Sequence, residues 1–327
     1  MTTSNPYYQG PPSDHFDGTR FFNPGQSVMD AGLGAFLRWK FSSQPAPWPR
    51  SVPVVEAVPE AQVAGLRITM VGHASLLIQA AGLNMVTDPV WSERASPFRF
   101  AGPKRVTRPG IDFASLPPIH VVLLSHNHYD HLDMVTLKRL QAAHRPLFVM
   151  PLGNDAIVRR AVPDARIVTG DWGDAIDLGA GAQAHLVPAN HWSSRGVRDR
   201  RMALWCGYMI RTGAGLVHFA GDTGYGGGAI FREMRARFGA PDVSLIPIGA
   251  YEPRWFMEPQ HVNPEEAVRI MLDTGTKRAI GIHWGTFQLT DEARDAPVIA
   301  LDAALAVRGI DPALFVAGTP GGVYDVA

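Results

Sequence analysis

Four side chains of metal-binding type lie within six residues near the middle of the chain. They are His126, His128, Asp130 and His131, and they follow an apolar run over 119–124 that predicts a buried strand. Extended backbone projects His126 and His128 to the same side, and the other two follow as the chain turns. Polar groups packed this closely need hydration or a partner. Neutral imidazoles with a carboxylate suit Zn, Fe or Mn better than Ca or Mg, so the stretch predicts a metal site.

Composition excludes several classes of protein. The chain has 327 residues, 46% of them hydrophobic, which is enough for a large core and unlike a disordered protein. Thirty basic residues balance thirty acidic ones, so no net field favours nucleic acid, and we expect no nucleic-acid partner. The single cysteine, Cys206, excludes an internal disulfide and a thiolate-rich zinc site. Since no long apolar run and no secretory signal pattern is present, we expect a cytoplasmic protein.

Residues 1–60 differ from the rest, because they hold nine of the 27 prolines. This density disfavours regular core elements, so we predict an N-terminal arm (1–60) packed on a main domain (61–327). Within the arm, Met29–Phe41 predicts a short helix with Leu33, Phe36, Leu37 and Trp39 clustered towards one side. Two interpretations stay open. These side chains pack the arm onto the main domain, or they form a surface for a membrane or for the second subunit of a homodimer.

A regular pattern of strands and helices begins at Leu66. Three strands come first, over Leu66–Val71, Ser75–Ala80 and Leu83–Thr87, and Asp88-Pro89 ends that unit. Strands then alternate with helices. Helices are predicted over Leu132–Ala143 (capped by Asp133 or Thr136), over Asn154–Ala161 and from Pro264 after an Asn263 cap. Further strands are predicted over Leu147–Met150, Ile167–Thr169, Ala184–Pro188, Met202–Arg211, Gly215–Ala220 and Ala279–Ile282.

Three more ligand candidates follow predicted strands later in the chain: His191, Asp222 and His283. Each is a weak signal alone, because a single His after a strand is usually a surface or core residue. Together they are regular, with gaps of 60, 31 and 61 residues counted from His131. Each gap holds enough chain for a strand-rich unit that returns to the same edge of the fold. We therefore expect them to join the first cluster.

The motif H-x-H-x-D-H, followed by His, Asp and His at later strand ends, resembles the metallo-β-lactamase-fold hydrolases. Longer runs resemble one group among them more closely, the N-acyl phosphatidylethanolamine-hydrolysing phospholipase D enzymes. The runs that carry this resemblance extend in order towards the C-terminus: Gly72–Ala74, Thr87–Pro89, Arg94–Pro97, Gly102–Arg105, Ser125–Asp133, His191-Trp192, Ala220–Tyr225, Ile246–Met257, His261–Arg269 and His283–Phe287.

The resemblance implies an α/β fold, a four-layered αββα sandwich, with two metal ions at one edge. It assigns His126, His128 and His191 to one metal and Asp130, His131 and His283 to the second, with Asp222 bridging. We expect two Zn²⁺, with Fe or Mn as alternatives. Two such ions about 3.5–4 Å apart would lower the pKa of a bridging water to about 7, and Asp130 would orient that nucleophile towards phosphorus. Asp88 is either a partner behind a ligand histidine or only a turn cap before Pro89.

The resemblance also implies the substrate side of the site. The expected reaction converts N-acyl phosphatidylethanolamine to N-acylethanolamine and phosphatidic acid, with peripheral membrane contact. His261 is the candidate proton donor to the leaving alkoxide, and Gln260, Tyr129, Tyr225 and Tyr251 are candidate substrate contacts. The run Tyr251–Met257 predicts an acyl-chain wall, or else ordinary core. Alternatives are a hydrolase of another ester, such as a lactone or thioester, and a metal-binding scaffold without catalysis.

Overall fold

The computed structural model describes residues 4–25 and 33–326, without the side chains of Leu33, Phe36 and Lys40. These residues form two seven-stranded sheets. The first contains β1 (Leu66–Gly72), β2 (Ser75–Ala80), β3 (Leu83–Thr87), β4 (Val121–Leu123), β5 (Leu147–Pro151), β6 (Arg166–Gly170) and β14 (Val323–Val326). The second contains β7 (Ala175–Gly179), β8 (Ala182–Val187), β9 (Gly207–Thr212), β10 (Gly215–Phe219), β11 (Val243–Pro247), β12 (Arg278–Ile282) and β13 (Phe315–Ala317).

Both sheets are mixed, and their parallel parts matter for the site. The first has the order β14-β1-β2-β3-β4-β5-β6 and is parallel from β3 to β6. The second has the order β13-β12-β11-β10-β9-β8-β7 and is parallel from β10 to β13. Parallel neighbours end at the same edge of their sheet, and open sheets place ligands in the crevice beyond these ends. The loops after β3, β4, β10 and β12 therefore start close together.

The described residues also form seven α-helices. They are α1 (Leu33–Ser42), α2 (Met134–His144), α3 (Asn154–Val158), α4 (Ala229–Phe238), α5 (Arg254–Met257), α6 (Pro264–Thr274) and α7 (Ala296–Val307). One buried cluster, which includes Ile78 and Phe219, joins the inner faces of both sheets. A second packs β4 and β5 against α2, and a third packs the other sheet against α4, α6 and α7. The layer order is helix, sheet, sheet, helix, so the predicted αββα sandwich is confirmed.

Local sequence signals explain where two of the helices begin. Asn263 caps α6 by accepting from the amide of Glu266, whose carboxylate accepts in return from the Asn263 amide. This capping box, with Pro264 at the first helical position, satisfies amides that an α-helix leaves without partners. Asp133 caps α2 by accepting from the amide of Val135 at 3.0 Å. The helix start predicted at Asn263 is therefore confirmed, and of the two candidate caps for α2, Asp133 and Thr136, the structure selects Asp133.

Some predicted bounds differ from the structure for identifiable reasons. The strand predicted over Met202–Arg211 begins only at Gly207, because Met202 and Leu204 hydrogen-bond outside the sheet, to Asn5 and Leu152. The helix predicted over Asn154–Ala161 ends at Val158, a few residues before Pro163. Strands β7, β11, β13 and β14 and helices α4, α5 and α7 were not predicted. Of the helix predicted over Met29–Phe41, residues 29–32 lie outside the described residues, and α1 covers the rest.

The described part of the N-terminal arm lies against the main domain. Phe16 and Phe21 are buried beside Ala189, Leu204 and Trp205. The division at residue 60 stays a prediction. Among the helices the structure describes, none combines the length and apolar character that a membrane crossing needs.

Candidate metal centre

The predicted ligands lie together, because each follows a strand end at one edge of the sandwich. His126, His128, Asp130 and His131 occupy the loop between β4 and α2. His191 follows β8, Asp222 follows β10 and His283 follows β12. Their ligand atoms form overlapping groups in which every atom lies within 4.8 Å of the others. The structure thus brings together all seven predicted ligands, from four segments that each follow a strand.

One group contains His126, His128, His191 and Asp222. His128 Nδ1 lies 2.9 Å from His126 Nε2 and 3.2 Å from His191 Nε2. Asp222 Oδ2 lies 3.8 Å from His126 Nε2 and 3.7 Å from His191 Nε2. Tetrahedral ligands at the usual Zn–N distance are about 3.3 Å apart. The four atoms are therefore spaced like the corners of one tetrahedral metal site.

The second group contains Asp130, His131 and His283, and it meets the first at Asp222. His131 Nε2 lies 3.1 Å from Asp222 Oδ2, and His283 Nε2 lies 3.3 Å from Asp222 Oδ1. Asp130 Oδ2 lies 3.5 Å from His131 Nε2 and 3.2 Å from His283 Nε2. The Asp222 carboxylate faces both groups, as a bridging ligand would.

Several buried atoms in this region lack a hydrogen-bond partner among the described residues, and two of them lie where the two groups meet. They are His131 Nε2 and Asp222 Oδ1. A buried polar atom without a partner costs free energy, about 1–3 kcal/mol, and it is rare in folded proteins. A cation between the two groups would satisfy both atoms. The donor set of imidazoles and carboxylates, its spacing and these two atoms all fit a pair of metal ions.

Neighbouring groups orient the ligand histidines through their other ring nitrogen. His131 Nδ1 donates to Asp88 Oδ2 at 2.7 Å, and His191 Nδ1 donates to the Gln260 carbonyl at 3.0 Å. Such partners fix the tautomer, so that the opposite nitrogen is free to bind a metal. Asp88 is therefore more than a turn cap, because its carboxylate contacts a candidate ligand directly.

Burial and the neighbouring carboxylates together determine the protonation of the cluster. Burial, together with neighbouring imidazoles, lowers the pKa of His126 well below its usual value, and burial lowers the pKa of His128 to about 4. Burial also lowers the pKa of His191 well below 6.5. These three rings are therefore neutral at pH 7, which is the form that binds metals. Burial alone lowers the pKa of His283 as well, but Asp222 and Asp130 outweigh it and raise that pKa to about 9.

A cavity of about 710 Å³ opens over the cluster. Its floor contains His128, Asp130, Asp222 and His261. Most of the other lining residues fall into an apolar set and a basic set, and Gln260 and Thr290 add neutral polar groups. The apolar set includes Trp39, Trp192, Phe256, Met257 and Leu289, and the basic set is Arg20, Arg200 and Arg201. Both carboxylates that line the cavity belong to the metal cluster, so its upper walls combine apolar surface with positive charge.

The structure places the predicted substrate residues at different distances from this cavity. His261 and Gln260 line it, and His261 forms a potential metal-binding group with Asp222 and His283. Tyr129 donates to the Arg195 carbonyl at 2.9 Å and lines a neighbouring cavity of about 590 Å³.

Tyr225 donates to Asp273 at 2.8 Å and does not line the metal-centre cavity, and neither does the buried Tyr251. A substrate there would meet Gln260 and His261 before these tyrosines. The roles predicted for all five residues stay predictions.

No metal-binding role was predicted for His73 from the sequence. His73 Nε2 lies 2.9 Å from Asp130 Oδ2, within the group formed by Asp130, His131 and His283. Its backbone has φ of 58°, an uncommon value for a residue other than glycine. The available signal was its position directly after β1, at the same kind of strand end as the other ligands.

Arg20 and Trp39 were also not predicted as cavity residues, and neither belongs to the runs that carry the resemblance. Trp192 belongs to one of these runs, but no role was predicted for it.

Comparison with known proteins places the fold and the site in one family. A sequence profile of the Beta-lactamase superfamily domain matches residues 83–284, more than half of the chain. The N-acyl-phosphatidylethanolamine-hydrolyzing phospholipase D 1 of Caenorhabditis elegans is 37% identical over 233 residues, which are 69% of this chain and 65% of that protein. The chain thus spans slightly less than two thirds of that relative's length. The match confirms the resemblance inferred from the sequence.

Solved structures support the same assignment at the level of the fold. An isothiocyanate hydrolase from Delia radicum gut bacteria has a TM-score of 0.62 and 20% identity, covering 79% of this chain and 98% of that one. The metallo-beta-lactamase fold protein YhfI from Bacillus subtilis has a TM-score of 0.56 and 14% identity, covering 80% and 99%. The helix–sheet–sheet–helix layers, the His/Asp cluster at their edge and the profile match agree: this chain belongs to the beta-lactamase superfamily of metal-dependent hydrolases.

Proposed function

We propose that this protein is a dinuclear-zinc phosphodiesterase of the phospholipase D type, which cleaves N-acyl phosphatidylethanolamine to N-acylethanolamine and phosphatidic acid. The observation that carries the proposal is the cavity over the metal cluster, with apolar walls and basic residues above two groups of metal ligands. The 37% identity to a phospholipase D of that specificity supports the choice of substrate.

In this proposal His126, His128 and His191 hold one metal, and Asp130, His131 and His283 hold the second, with Asp222 between them. Two ions held there supply positive charge for the phosphoryl oxygens and lower the pKa of water. The chain's own residues set the geometry. Asp88 and the Gln260 carbonyl hold two ligand rings in their binding tautomers. Asp130, at the cavity floor, accepts a hydrogen bond from the attacking water and orients it.

His261 is the proposed acid for the leaving alkoxide. It lines the cavity beside Asp222 and His283, so its ring lies next to the place where a phosphodiester would bind. Its Nδ1 atom is buried without a hydrogen-bond partner in the described structure. Among the described residues that line the cavity, His261 is the imidazole outside the seven proposed ligands, and the basic residues are arginines. Burial lowers the pKa of His261 to about 4, so only a small protonated fraction of this ring supplies the proton at pH 7.

The shape of the cavity suits a molecule with a charged middle and long apolar ends. Trp39 stacks on Phe256, with ring centroids 5.2 Å apart, and the two form one wall. Met257 and Leu289 add apolar surface, where acyl chains would gain about 25 cal/mol for each Å² removed from water. Arginine is the side chain best suited to bind phosphate, and Arg20, Arg200 and Arg201 line the same cavity.

The proposed substrate resides in a bilayer, so we propose peripheral membrane contact by a cytoplasmic protein. Residues on the outer side of α1 supply apolar surface near the cavity: Phe41 is 88% exposed and Leu37 is 41% exposed. Trp255 is 44% exposed, and it directly precedes Phe256, which lines the cavity. This surface is next to Trp39, which lines the cavity, so a lipid bound there would have a short path to the metals.

The test combines metal analysis with turnover of three substrates. Purified protein loaded with zinc is assayed with bis(p-nitrophenyl) phosphate, with a lactone and with N-acyl phosphatidylethanolamine in vesicles. We expect two metals per chain, turnover of both phosphodiesters and release of phosphatidic acid. Turnover of the lactone alone would replace the proposal by another ester hydrolase. Fully loaded protein without any turnover would indicate a metal-binding scaffold.

A further inference from the structure

The loop that carries His191 is long and has little structure of its own. It comprises residues 188–206, between β8 and β9, and contains neither a helix nor a strand. Loops beyond about 12–15 residues without such elements are uncommon in compact domains, and they are usually functional or mobile. A metal ligand, by contrast, must be held within a few tenths of an ångström. We call residues 188–206 the ligand loop. Because it contains neither a helix nor a strand, residues outside the loop must hold it in place.

Residues 4–25, which we call the strap, are hydrogen-bonded to the ligand loop over much of its length. The side-chain amide of Asn5 donates to the Met202 carbonyl at 2.7 Å, and the Tyr7 hydroxyl donates to the Asp199 carboxylate at 2.9 Å. The Phe21 amide donates to the Arg201 carbonyl at 2.7 Å. Phe16 and Phe21 of the strap are buried against Ala189, Leu204 and Trp205 of the loop, which adds apolar contact to these bonds.

One strap residue reaches the metal ligand itself. Asn23 Nδ2 donates to the backbone carbonyl of His191 at 3.0 Å. Its Oδ1 accepts from Trp205 Nε1 at 3.2 Å, and the same indole nitrogen donates to the Ala189 carbonyl at 2.8 Å. Asn23 thus connects the first part of the ligand loop, at His191, to its last part, at Trp205.

The His191 ring is held on its other side by the Gln260 carbonyl, so Asn23 and Gln260 together fix both the backbone and the ring.

We propose that the strap is part of the metal centre, and that Asn23 is a positioning residue for the metal held by His126, His128 and His191. This inference rests on the proposed metal centre. Asn23 acts through the His191 backbone and does not touch the metal. Without it, the His191 carbonyl loses a fixed donor, and the ring samples positions from which Nε2 no longer reaches the shared point near His128 Nδ1.

The test measures metal affinity rather than turnover. Protein loaded with two metals is titrated with a chelator, and the metals that remain per chain are counted. Substituting a residue that hydrogen-bonds a metal ligand lowers metal affinity 10–100-fold. Because Asn23 contacts the backbone of His191 rather than its ring, we expect Asn23→Ala to lower the affinity for one metal about tenfold. The other metal should keep its affinity. A second variant, Asn23→Asp, keeps an acceptor for Trp205 but cannot donate to His191, and it should show the same loss.

A matched control comes from the strap itself. Asp17 is exposed, and its carboxylate accepts only from the amides of Thr19 and Arg20 within the strap, so Asp17→Ala should bind both metals like the parent protein. Melting temperatures of the metal-free proteins separate positioning from general destabilisation. The inference is overturned if both Asn23 variants keep parental affinity, or if both metals weaken together with the melting temperature. A parent protein that binds no metal would instead refute the proposed metal centre.

Discussion

Asp88 accepts two hydrogen bonds from Ser125, from its amide at 2.7 Å and from its hydroxyl at 2.5 Å. Ser125 Oγ also lies 2.9 Å from His126 Nδ1. Asp88 Oδ2, which accepts from the Ser125 hydroxyl, also accepts from His131 Nδ1. One fully buried carboxylate therefore orients His131 directly and His126 through Ser125. These histidines belong to different groups of ligands, so Asp88 couples the geometry of the two proposed metals.

Replacing Asp88 with Asn should weaken both metals. An Asn side chain has one acceptor oxygen and cannot serve the Ser125 amide, the Ser125 hydroxyl and His131 together. We expect 10–100-fold lower affinity for each metal, measured by chelator titration of the loaded protein. Ser125→Ala is the matched comparison, because it removes the hydroxyl that joins Asp88 to His126 but keeps the contact between Asp88 and His131, so it should weaken one metal. Parental affinity of Asp88→Asn for both metals would show that this carboxylate does not orient the ligands.

Removing His126 or His128 should cost one metal per chain. Either change leaves two histidines and Asp222 in that group, and the second metal should be retained more weakly because Asp222 is shared. Metal content of His126→Ala and His128→Ala, measured after gel filtration, checks this expectation. His185→Ala is the control, since this histidine lies beside Phe238 and outside the cluster. Two tightly bound metals in both variants would contradict the ligand assignment.

Asp222→Asn should lower both metal occupancy and turnover. The substitution preserves shape but removes the negative charge that faces His131 Nε2 at 3.1 Å and His283 Nε2 at 3.3 Å. A drop of roughly 100-fold or more in kcat is the scale for losing a contact of this kind, measured with a soluble phosphodiester. If the variant works at nearly the parental rate, Asp222 only caps the turn that follows Gly221.

Phe41 and Trp39 should separate lipid capture from chemistry. Burying a large apolar side chain is worth about 1.5–3 kcal/mol, so Phe41→Ser should weaken turnover of vesicle-borne substrate about tenfold and spare a soluble phosphodiester. Trp39 is buried, stacks on Phe256 and lines the cavity, so Trp39→Ser should reduce both activities and the melting temperature.

An exposed apolar side chain on α7 supplies the control for this pair, because Val307→Ser should leave vesicle turnover unchanged. The membrane interpretation fails if Phe41→Ser and Val307→Ser behave alike. The side chain of Phe36, predicted to share the apolar side of this helix, lies outside the described residues.

Attachment of the strap should depend on pH through His15. Burial lowers the pKa of His15, but hydrogen bonds with Asp171 and Asp14, at 2.7 and 2.6 Å, outweigh it and raise the pKa above 6.5. A folded-state pKa above the unfolded value stabilises the fold fully below about pH 6.5, and this stabilisation is lost as pH rises through the folded value. We expect hydrogen exchange of residues 4–25 to speed up, relative to the rest of the chain, between pH 6 and 9. In His15→Gln this relative change should be absent, and an equal change in both proteins would contradict the role of His15.

The sequence alone determined the parts of this protein that depend on neighbours along the chain. Strands β2 and β3 begin and end where apolar runs and turn residues predicted, because strand composition and turn residues are local properties of the sequence. The start of α6 followed from Asn263, Pro264 and Glu266, whose capping bonds span three residues. The candidate metal ligands could also be predicted, because few types of side chain bind metals and these side chains follow predicted strands.

Only the tertiary structure decided what surrounds those ligands. Asn23 and His191 are 168 residues apart, Asn5 and Met202 are 197 apart, and no periodicity relates such pairs. Arg20 and Trp39 became cavity residues because the N-terminal arm lies across the edge of the sandwich. Their side chains carry no chemical signature of a site, so their roles come from packing between distant segments. Local rules therefore identify the metal centre, and long-range contacts determine the cavity and the strap that complete it.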